Sequence, residues 1–389
     1  MSSILPVGST HDSKINHKPQ QEDNSIIKID TSINSIAPLA LLTNSPRSLP
    51  DKNQKNLKDV DMRDEGTIIY NIDNTLFLYD SETGKSQSLD LGRKYEPLSV
   101  SFVDKSTVLV RLAYFGFQFF NINNKLQLTK SIDLSKKGDG DPICSNKNSK
   151  GLFVGARISS PTELLVFDSN GISKSIKIKS SDGKDLNNNG LLHCRGLSLD
   201  DDTVYCLFSF PNDHYFQAYS LKDGALVNTI PFNEEHPIRI FTMEGVVLVW
   251  FEDELKGFDR GTLEQKYSYK FDGLTDASNV CKIHNNQIFL ALYNGQIHIV
   301  DGKNGKLLEL IDFSGSTRDK INDIVIHKGY LAIASAKFCK IEILDSKIGQ
   351  CIRTLETKAI PHHLAFDNNY LSVRFDEEPY FQFFYSNKK

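Results

Sequence analysis

The chain has 389 residues, of which 39% are hydrophobic and 24% are charged, and its formal net charge is −4 at pH 7. This is the composition of a globular protein with enough apolar residues for a large core. It excludes the strong positive charge with which proteins attract nucleic acids or anionic membranes in bulk, so we expect no nucleic acid among its partners.

The N-terminal residues lack the charged start and the apolar run of a signal peptide, and no stretch approaches about 18 consecutive apolar residues. We therefore expect a soluble protein without membrane insertion, located in the cytoplasm, with the nucleus as an alternative. The cysteines form no CxxC pair, and we expect buried thiols rather than disulfides or metal ligands. They are Cys144, Cys194, Cys206, Cys281, Cys339 and Cys351.

Residues 1–56 are rich in Ser, Asn, Lys, Gln and Pro. Such a segment cannot bury enough apolar surface to order itself, so we predict a mostly disordered leader. Two short apolar stretches interrupt it, at residues 26–29 and 36–42. We expect one strand of this leader to pair with a later part of the chain.

A repeating pattern begins at Leu57 and continues to the C-terminus. In each copy an aromatic or aliphatic residue precedes Asp, Asn or Ser, and successive copies are 39 to 52 residues apart. This spacing is typical of the four-stranded blades of β-propellers. The eight pairs are Tyr79-Asp80, Phe120-Asn121, Phe167-Asp168, Tyr219-Ser220, Phe258-Asp259, Val300-Asp301, Leu344-Asp345 and Tyr385-Ser386.

The stretch 288–312 shows one copy most clearly. Short runs of Ile, Leu, Val and Phe are joined by Tyr293-Asn294-Gly295 and by the turn from Asp301 to Gly305. Gly and Asn supply the positive φ angles of tight hairpin turns, so the stretch predicts three antiparallel strands. The same Asp-x-x-x-Gly turn recurs at Asp80 and Asp345.

Each copy predicts four strands, which we name a to d, and no helical periodicity of useful length is present. Strand b is almost entirely apolar, as in Val246–Trp250, which is typical of a strand buried on both faces. Strand d alternates with polar residues, as an outer strand does. The repeated strands predict an all-β fold.

Stacking four-stranded sheets around an axis buries both faces of every sheet. We therefore predict a β-propeller over residues 57–389 with eight blades, or seven if the first or third copy is an irregular insertion. The eighth copy stops after Phe381–Tyr385 and lacks an outer strand. We expect the leader to supply that strand, with Ser25–Asp30 as the first choice, and so to close the ring.

These copies resemble the repeats of WD-repeat and quinoprotein-like β-propellers. The hydrophobic-Asp end of strand c corresponds to the Trp-Asp pair of the WD family, although no copy contains Trp-Asp itself. The resemblance implies a scaffold or a substrate receptor, because WD-repeat propellers mostly serve in assemblies. It does not imply a quinone, since Trp250 is the single Trp and no two cysteines adjoin, and we expect no cofactor.

Two insertions, at residues 179–191 and 209–215, lengthen connections that a propeller places on one face. Binding sites are often grafted on such loops, so one interpretation is a binding patch. The alternative is a tolerated surface insertion. The candidate contact residues are Lys184, Asp213, His214 and Tyr215.

A second candidate group contains arginines near the inner strands, among them Arg195, Arg239 and Arg157. Arg111 and Arg374 occupy matching places in the copies that flank the first copy. We expect their side chains to converge at the channel mouth, where guanidinium groups bind the carboxylate or phosphate of an acidic or phosphorylated peptide. The alternative is structural pairing of each arginine with a nearby Asp or a loop carbonyl.

The aromatic run 114–120 alternates around Gly116, and its alternatives are packing between blades or a ligand site; Tyr114 is a candidate anchor for a partner. His362 and His363 are adjacent in one strand and should point to opposite faces, so we expect no metal site.

No catalytic or nucleotide-binding motif is present, so we expect a non-enzymatic interaction module. In this hypothesis the chain is a monomeric propeller that works within a complex and binds proteins or peptides. The alternative is an enzyme or a small-ligand binder that uses the central channel.

Overall fold

The computed structural model describes residues 47–48, 57–63, 67–80, 83–180, 184, 192–209, 214–232, 236–271, 280–292, 294–312, 321–327, 329–347, 349–367, 370–375 and 381–385. All of them lie in one of the two compact parts into which the chain divides, Ala37–Lys389. These residues form strands and turns without any helix, so no helix among them has the length and apolarity to cross a membrane.

The strands follow one another along the whole described chain. The first half comprises β1 (Arg47–Ser48), β2 (Leu57–Arg63), β3 (Thr67–Ile72), β4 (Thr75–Asp80), β5 (Ser86–Asp90), β6 (Pro97–Phe102), β7 (Thr107–Leu112), β8 (Gly116–Asn121), β9 (Gln127–Asp133), β10 (Asp139–Cys144), β11 (Phe153–Ser159), β12 (Glu163–Asp168), β13 (Gly171–Lys177), β14 (His193–Leu199), β15 (Thr203–Ser209) and β16 (His214–Ser220). The second half comprises β17 (Leu226–Phe232), β18 (Arg239–Met243), β19 (Val246–Trp250), β20 (Glu254–Asp259), β21 (Gln265–Lys270), β22 (Val280–His284), β23 (Gln287–Ala291), β24 (Gln296–Asp301), β25 (Leu307–Asp312), β26 (Ile321–His327), β27 (Tyr330–Ser335), β28 (Lys340–Asp345), β29 (Cys351–Glu356), β30 (Pro361–Asp367), β31 (Tyr370–Phe375) and β32 (Phe381–Tyr385).

Consecutive strands from β2 onward pair antiparallel in groups of four, which we call units one to eight. Units one, two, five, six and seven are separate four-stranded sheets. Units three and four share one eight-stranded sheet, because Ser159 of β11 pairs with His193 of β14. The prediction of an all-β chain of four-stranded units is therefore confirmed, but five units, not seven or eight, form separate sheets of four consecutive strands.

Unit eight contains β30, β31 and β32, and its fourth strand is β1 from the leader. Arg47 lies opposite Phe383, and Ser48 lies opposite Gln382. The expected leader strand is thus found later in the sequence than Ser25–Asp30, which lies outside the described residues. A strand close to Leu57 suits this place, because unit one begins there and its first strand lies beside β30.

The predicted turn chemistry is confirmed at the ends of the third strands. The amides of Gly305 and Gly349 donate to the carbonyls of Asp301 and Asp345 at 2.8 and 2.9 Å, and both glycines have positive φ angles. The Asp301 side chain accepts the Lys303 amide at 2.7 Å. Asp and Gly are therefore required here by the turn geometry.

The second strand of each unit is buried, as its apolar sequence predicts, and every residue of Val246–Trp250 is buried. Neighbouring units pack through their second and third strands. Between units two and three, Phe117 stacks on Phe167 with ring centroids 5.0 Å apart. Gly155 permits this approach, since a Cβ there would lie 2.6 Å from the Phe117 ring.

The first strand of a unit is its innermost strand, and in most units it contains a β-bulge near its start. A bulge adds one residue and re-aims the side chains that follow it. We call the first paired residue after the bulge the post-bulge position. Six units have this feature, with Asp59, Ser99, Pro142, Gly196, Asp323 and His363 at the post-bulge position.

Carboxylates at the post-bulge position connect neighbouring units. Asp59 Oδ2 accepts the amide of Val100 in unit two at 2.9 Å. Asp323 Oδ2 accepts the amide of Leu364 in unit eight at 2.9 Å. Two residues further along β2, Asp61 accepts the Phe102 amide at 2.7 Å. Hydrogen bonds to an ionised acceptor are stronger than neutral ones, so these contacts hold adjacent innermost strands together.

Asp323 is the most buried of these carboxylates, with its side chain 6% exposed. The Lys282 ammonium lies 3.0 Å from Asp323 Oδ1. Burial raises the pKa of Asp323, but hydrogen bonding with His363 and the Leu364 amide and the charge of Lys282 outweigh burial and lower it below its usual value.

We predict that Asp323→Asn lowers the free energy of unfolding by about 2–3 kcal/mol, because it removes charge-assisted hydrogen bonds in a buried place. The control Lys282→Met should cost less than about 1 kcal/mol, since the Lys282 side chain is 39% exposed. Urea denaturation measures both values. Equal losses in the two variants would contradict this assignment.

The pH dependence of the same variant gives a second test. Because the pKa of Asp323 is lower in the folded protein, its contribution is fully present above the unfolded value of about 3.9 and is lost as pH falls through the folded value. The stability difference between wild type and Asp323→Asn should therefore shrink as pH falls from 5 toward about 2. A difference that stays constant over this range would show that the carboxylate charge is not responsible.

Candidate functional site

The inserted loop of unit four does not expose the residues expected there. His214 and Tyr215 lie in β16 and are 7% and 2% exposed. The expectation that they contact a partner is wrong, because β16 pairs with β15 on one side and β17 on the other, and Tyr215 packs on Phe208. Lys184 is exposed, whereas Asp213 lies outside the described residues.

The arginines occupy several different places. Arg195 and Arg239 are exposed at the start of innermost strands β14 and β18. Arg111 lies in β7 opposite Ser99, and Arg374 lies in β31 opposite His363, so both face a post-bulge position. Arg111 and Arg374 therefore occupy equivalent positions in the second strands of their units, as the sequence predicts.

Although their positions in the strands are equivalent, the side chains of Arg111 and Arg374 do not lie close together. Arg374 Nη1 lies 3.8 Å from Asp59 Oδ1, across the interface between units eight and one. Arg111 lines a cavity whose other wall belongs to unit three. The structure therefore places these two arginines at different interfaces between units rather than in one shared clamp.

A third arginine, Arg157, also lies opposite a post-bulge residue, and its role is structural. Arg157 lies opposite Pro142 and is 2% exposed. Its guanidinium donates to the carbonyls of Leu134 at 2.9 Å and Gly140 at 2.7 Å, and also to those of Tyr114 and Phe115. The alternative of pairing with loop carbonyls is therefore correct for Arg157.

The side chain of Arg157 fixes the turn that presents Tyr114. Tyr114 is 73% exposed, and its φ angle is +56°, a left-handed conformation that is rare for an aromatic residue. The Phe115 carbonyl accepts the Leu134 amide at 2.7 Å, and the Ala113 amide donates to the Glu96 carbonyl at 2.8 Å. The backbone on both sides of Tyr114 is therefore held by hydrogen bonds.

Other aromatic and cationic groups lie beside this turn. The rings of Tyr95 and Phe115 meet edge to face with centroids 5.0 Å apart. Lys94 Nζ lies 5.7 Å from the centroid of the Tyr95 ring. We call Lys94, Tyr95, Tyr114 and Phe115 the Tyr114 surface. Tyr114 was predictable as a candidate from the sequence, but Lys94 and Tyr95 were not. They lie close to Tyr114 only because the connection before β6 lies beside the β7–β8 turn.

A cavity of about 720 Å³ lies among the innermost strands of units three to eight. Its walls carry Lys147, Lys282 and His284, and among the described residues that line it there is no Asp or Glu. Burial raises the pKa of Cys281 to about 12, although Arg239 and Lys282 act in the opposite direction. This thiol is therefore protonated at neutral pH and is a poor nucleophile.

The two adjacent histidines of β30 are closer than a regular strand allows. The rings of His362 and His363 meet edge to face with centroids 4.8 Å apart. The expectation that they point to opposite faces is wrong, because the bulge between Pro361 and His363 re-aims His362. In the described part of the chain, no three His, Cys, Asp or Glu side chains are grouped so that they could hold a metal.

The arrangement of units is that of known propeller structures. The Dos1 propeller has a TM-score of 0.65 at 12% identity, with 91% of this chain and 97% of that chain covered. The C-terminal WD40 domain of Sif2 has a TM-score of 0.62 at 12% identity, with 90% and 99% covered. The chain is a β-propeller.

The propeller is also similar to BamB from Moraxella catarrhalis, with a TM-score of 0.57, 14% identity, and 88% of this chain and 97% of that chain covered. The resemblance to WD-repeat and quinoprotein-like propellers is thus confirmed for the fold. Neither a family model nor a curated protein matches the sequence.

We predict that Arg157→Met lowers the free energy of unfolding by about 3 kcal/mol, because one buried and three partly buried hydrogen bonds to carbonyls lose their donor. The matched variant is Arg111→Met; Arg111 has the same register, but its Nε donates no hydrogen bond, so this variant should cost less than about 1 kcal/mol. Chemical denaturation of both variants tests this contrast. A larger loss in Arg111→Met would contradict the roles given to the two arginines.

Proposed function

We propose that this propeller is a protein-interaction scaffold that binds a protein partner through the Tyr114 surface. The observation that carries the proposal is the fixed backbone beneath a 73% exposed aromatic side chain. Aromatic residues supply much of the binding energy at protein interfaces. A side chain whose backbone is already ordered loses less conformational entropy when a partner binds.

The strained conformation of Tyr114 supports a binding role over a packing role. A left-handed aromatic residue has an energetic cost, and such residues cluster at functional sites. Arg157 and the hydrogen bonds of Ala113 and Phe115 offset that cost. Lys94, above the Tyr95 ring, adds a positive charge at the rim, where it favours a partner with acidic groups.

In this proposal the eight units are eight blades, with units three and four counted separately although one residue pair joins their sheets. The strand β1 closes the ring through its pairing with β32. The domain then comprises residues 57–389 together with β1, and it acts as a monomeric propeller within a complex. The cytoplasmic location stays a prediction from the sequence.

The 720 Å³ cavity favours a second candidate function, the binding of a small ligand in the channel. Its cationic walls and the exposed Arg195 and Arg239 suit an anionic ligand. Catalysis is less well supported there, because burial raises the pKa of Cys281 and so opposes formation of the thiolate.

We predict that Tyr114→Ala removes partners that the wild-type chain retains in affinity purification followed by quantitative mass spectrometry. An interface anchor of this kind contributes about 2 kcal/mol or more, so retention should fall about 30-fold. The thermal midpoint should not decrease, because Tyr114 makes few contacts in the free protein.

Val227→Ala is the matched control for this experiment. Val227 is 55% exposed but lies on the outer strand β17 of unit four. It should leave the set of partners unchanged. Identical sets of partners in Tyr114→Ala, Val227→Ala and the wild type would exclude the Tyr114 surface as the binding site.

A further inference from the structure

The interface between units two and three lacks the carboxylate bridge that connects units one and two. By register, Ser99 in β6 is equivalent to Asp59 in β2, and Ser101 is equivalent to Asp61. A serine hydroxyl is shorter and uncharged, so it cannot replace the carboxylate bridge. The strand β6 therefore supplies no acidic group toward unit three, and Asp104, which follows it, acts on Lys147 instead.

At the interface between units two and three, Arg111 has no acidic partner among the described residues. The equivalent Arg374 forms an ion pair with Asp59, which is at the post-bulge position of the next unit. For Arg111 the next unit is unit three, and its post-bulge residue is Pro142. Arg111 Nε is buried and has no hydrogen-bond partner. A desolvated cationic donor in this state costs stability unless an acceptor reaches it.

The side chain of Arg111 lines a cavity of about 420 Å³ between units two and three. The strand β10 packs more closely on β7 and β8 than on β6, which leaves this space between the innermost strands. Ser99, Ser101, Ser145, Asn146 and Lys147 supply its other polar wall groups, and no Asp or Glu is among the described residues that line it. The cavity is therefore rich in donors and positive charge.

The cavity also has an apolar part and an entrance. Phe102, Phe117 and Phe153 form part of its wall. Asn146 and Lys147 line both this cavity and the 720 Å³ cavity of the channel, so the two spaces adjoin. A volume of this size suits a small molecule or a single large side chain.

We propose that this cavity binds a phosphate monoester whose oxygens contact Arg111 and the hydroxyls of Ser99 and Ser101. A phosphate has three strong acceptor oxygens and about two negative charges, which matches a guanidinium fork with several hydroxyl and amide donors. A carboxylate has fewer acceptor sites and leaves part of this donor set unused. Lys147 also lines the cavity, and its ammonium donates to the Val103 carbonyl.

The phosphate group has two possible sources, a phosphorylated side chain of a partner or a free phosphorylated small molecule. Both have the same chemistry at Arg111. The proposal does not depend on the Tyr114 surface, because a phosphate probe alone tests the cavity. Failure of the scaffold proposal would therefore leave this one intact, and the reverse is also true.

Isothermal titration calorimetry with O-phosphoserine at constant ionic strength tests the proposal directly. We expect saturable binding to the wild-type chain and binding at least about tenfold weaker in Arg111→Gln. Arg374→Gln is the matched control, since Arg374 already has Asp59 as a partner, and it should bind like the wild type. Tyr114→Ala should also bind normally.

A second variant restores the missing acidic partner. Pro142→Asp introduces a carboxylate at the position that Asp59 and Asp323 occupy in their units, and it should pair with Arg111. We expect this variant to be at least as stable as the wild type and to lose O-phosphoserine binding. Absence of binding by the wild type, or equal losses in Arg111→Gln and Arg374→Gln, would overturn the proposal.

Two further ligands distinguish the sources. A phosphoserine peptide that binds at least about tenfold more tightly than O-phosphoserine would indicate a phosphorylated partner. Equal affinities, with no binding of the unphosphorylated peptide, would indicate a free small molecule. Tight binding of the unphosphorylated peptide at the same site would contradict recognition of phosphate.

Discussion

The innermost strand of each unit is the edge of its sheet, and this constraint governs how the units join. An edge strand has amide groups without partners in its own sheet, and unpaired buried amides are costly. Carboxylates at or near the post-bulge position accept these amides from the next unit. Asp59 and Asp323 therefore satisfy the backbone and fix the spacing of neighbouring sheets with one side chain each.

The interface between units two and three depends on other contacts. Pro142 and Ser99 cannot form the carboxylate bridge, and Arg157 instead connects the two units through the carbonyls of Phe115 and Tyr114. Phenylalanine packing between these units supplies the apolar contact. Without the carboxylate bridge, Arg111 lies beside a cavity. The hydrogen bonds of Arg157 order the turn that carries Tyr114. Both proposed binding sites thus lie at an interface that has no carboxylate bridge.

The sequence was sufficient to predict the strands, because strand b is apolar throughout and the Asp-Gly turns recur at blade spacing. It was insufficient for Tyr215, where an apparent loop insertion continues a strand that both neighbours bury. The arginines show the main reason for such failures. Arg111 and Arg374 have similar local sequences, but their partners lie in the next unit and depend on a one-residue bulge.

The propeller therefore combines a repeated framework with interfaces that differ in the residue at the post-bulge position. The framework was predictable because every unit has the same need to bury two faces. The contacts at each interface were not predictable, since they depend on which residue stands at the post-bulge position of the following unit. Pro142 and Asp59 have the same register, but Asp59 pairs with Arg374 of the preceding unit, whereas Pro142 offers no acceptor to Arg111 of the preceding unit.

Hydrogen exchange of individual backbone amides is the most direct test of the carboxylate bridges. The amides of Val100 and Leu364 donate to Asp59 and Asp323. By register, the Ile143 amide is the equivalent group in unit three, where Ser99 replaces the carboxylate of the preceding unit. The account predicts that Val100 and Leu364 exchange at least about tenfold more slowly than Ile143 at neutral pH. Equal exchange at the three amides would contradict it.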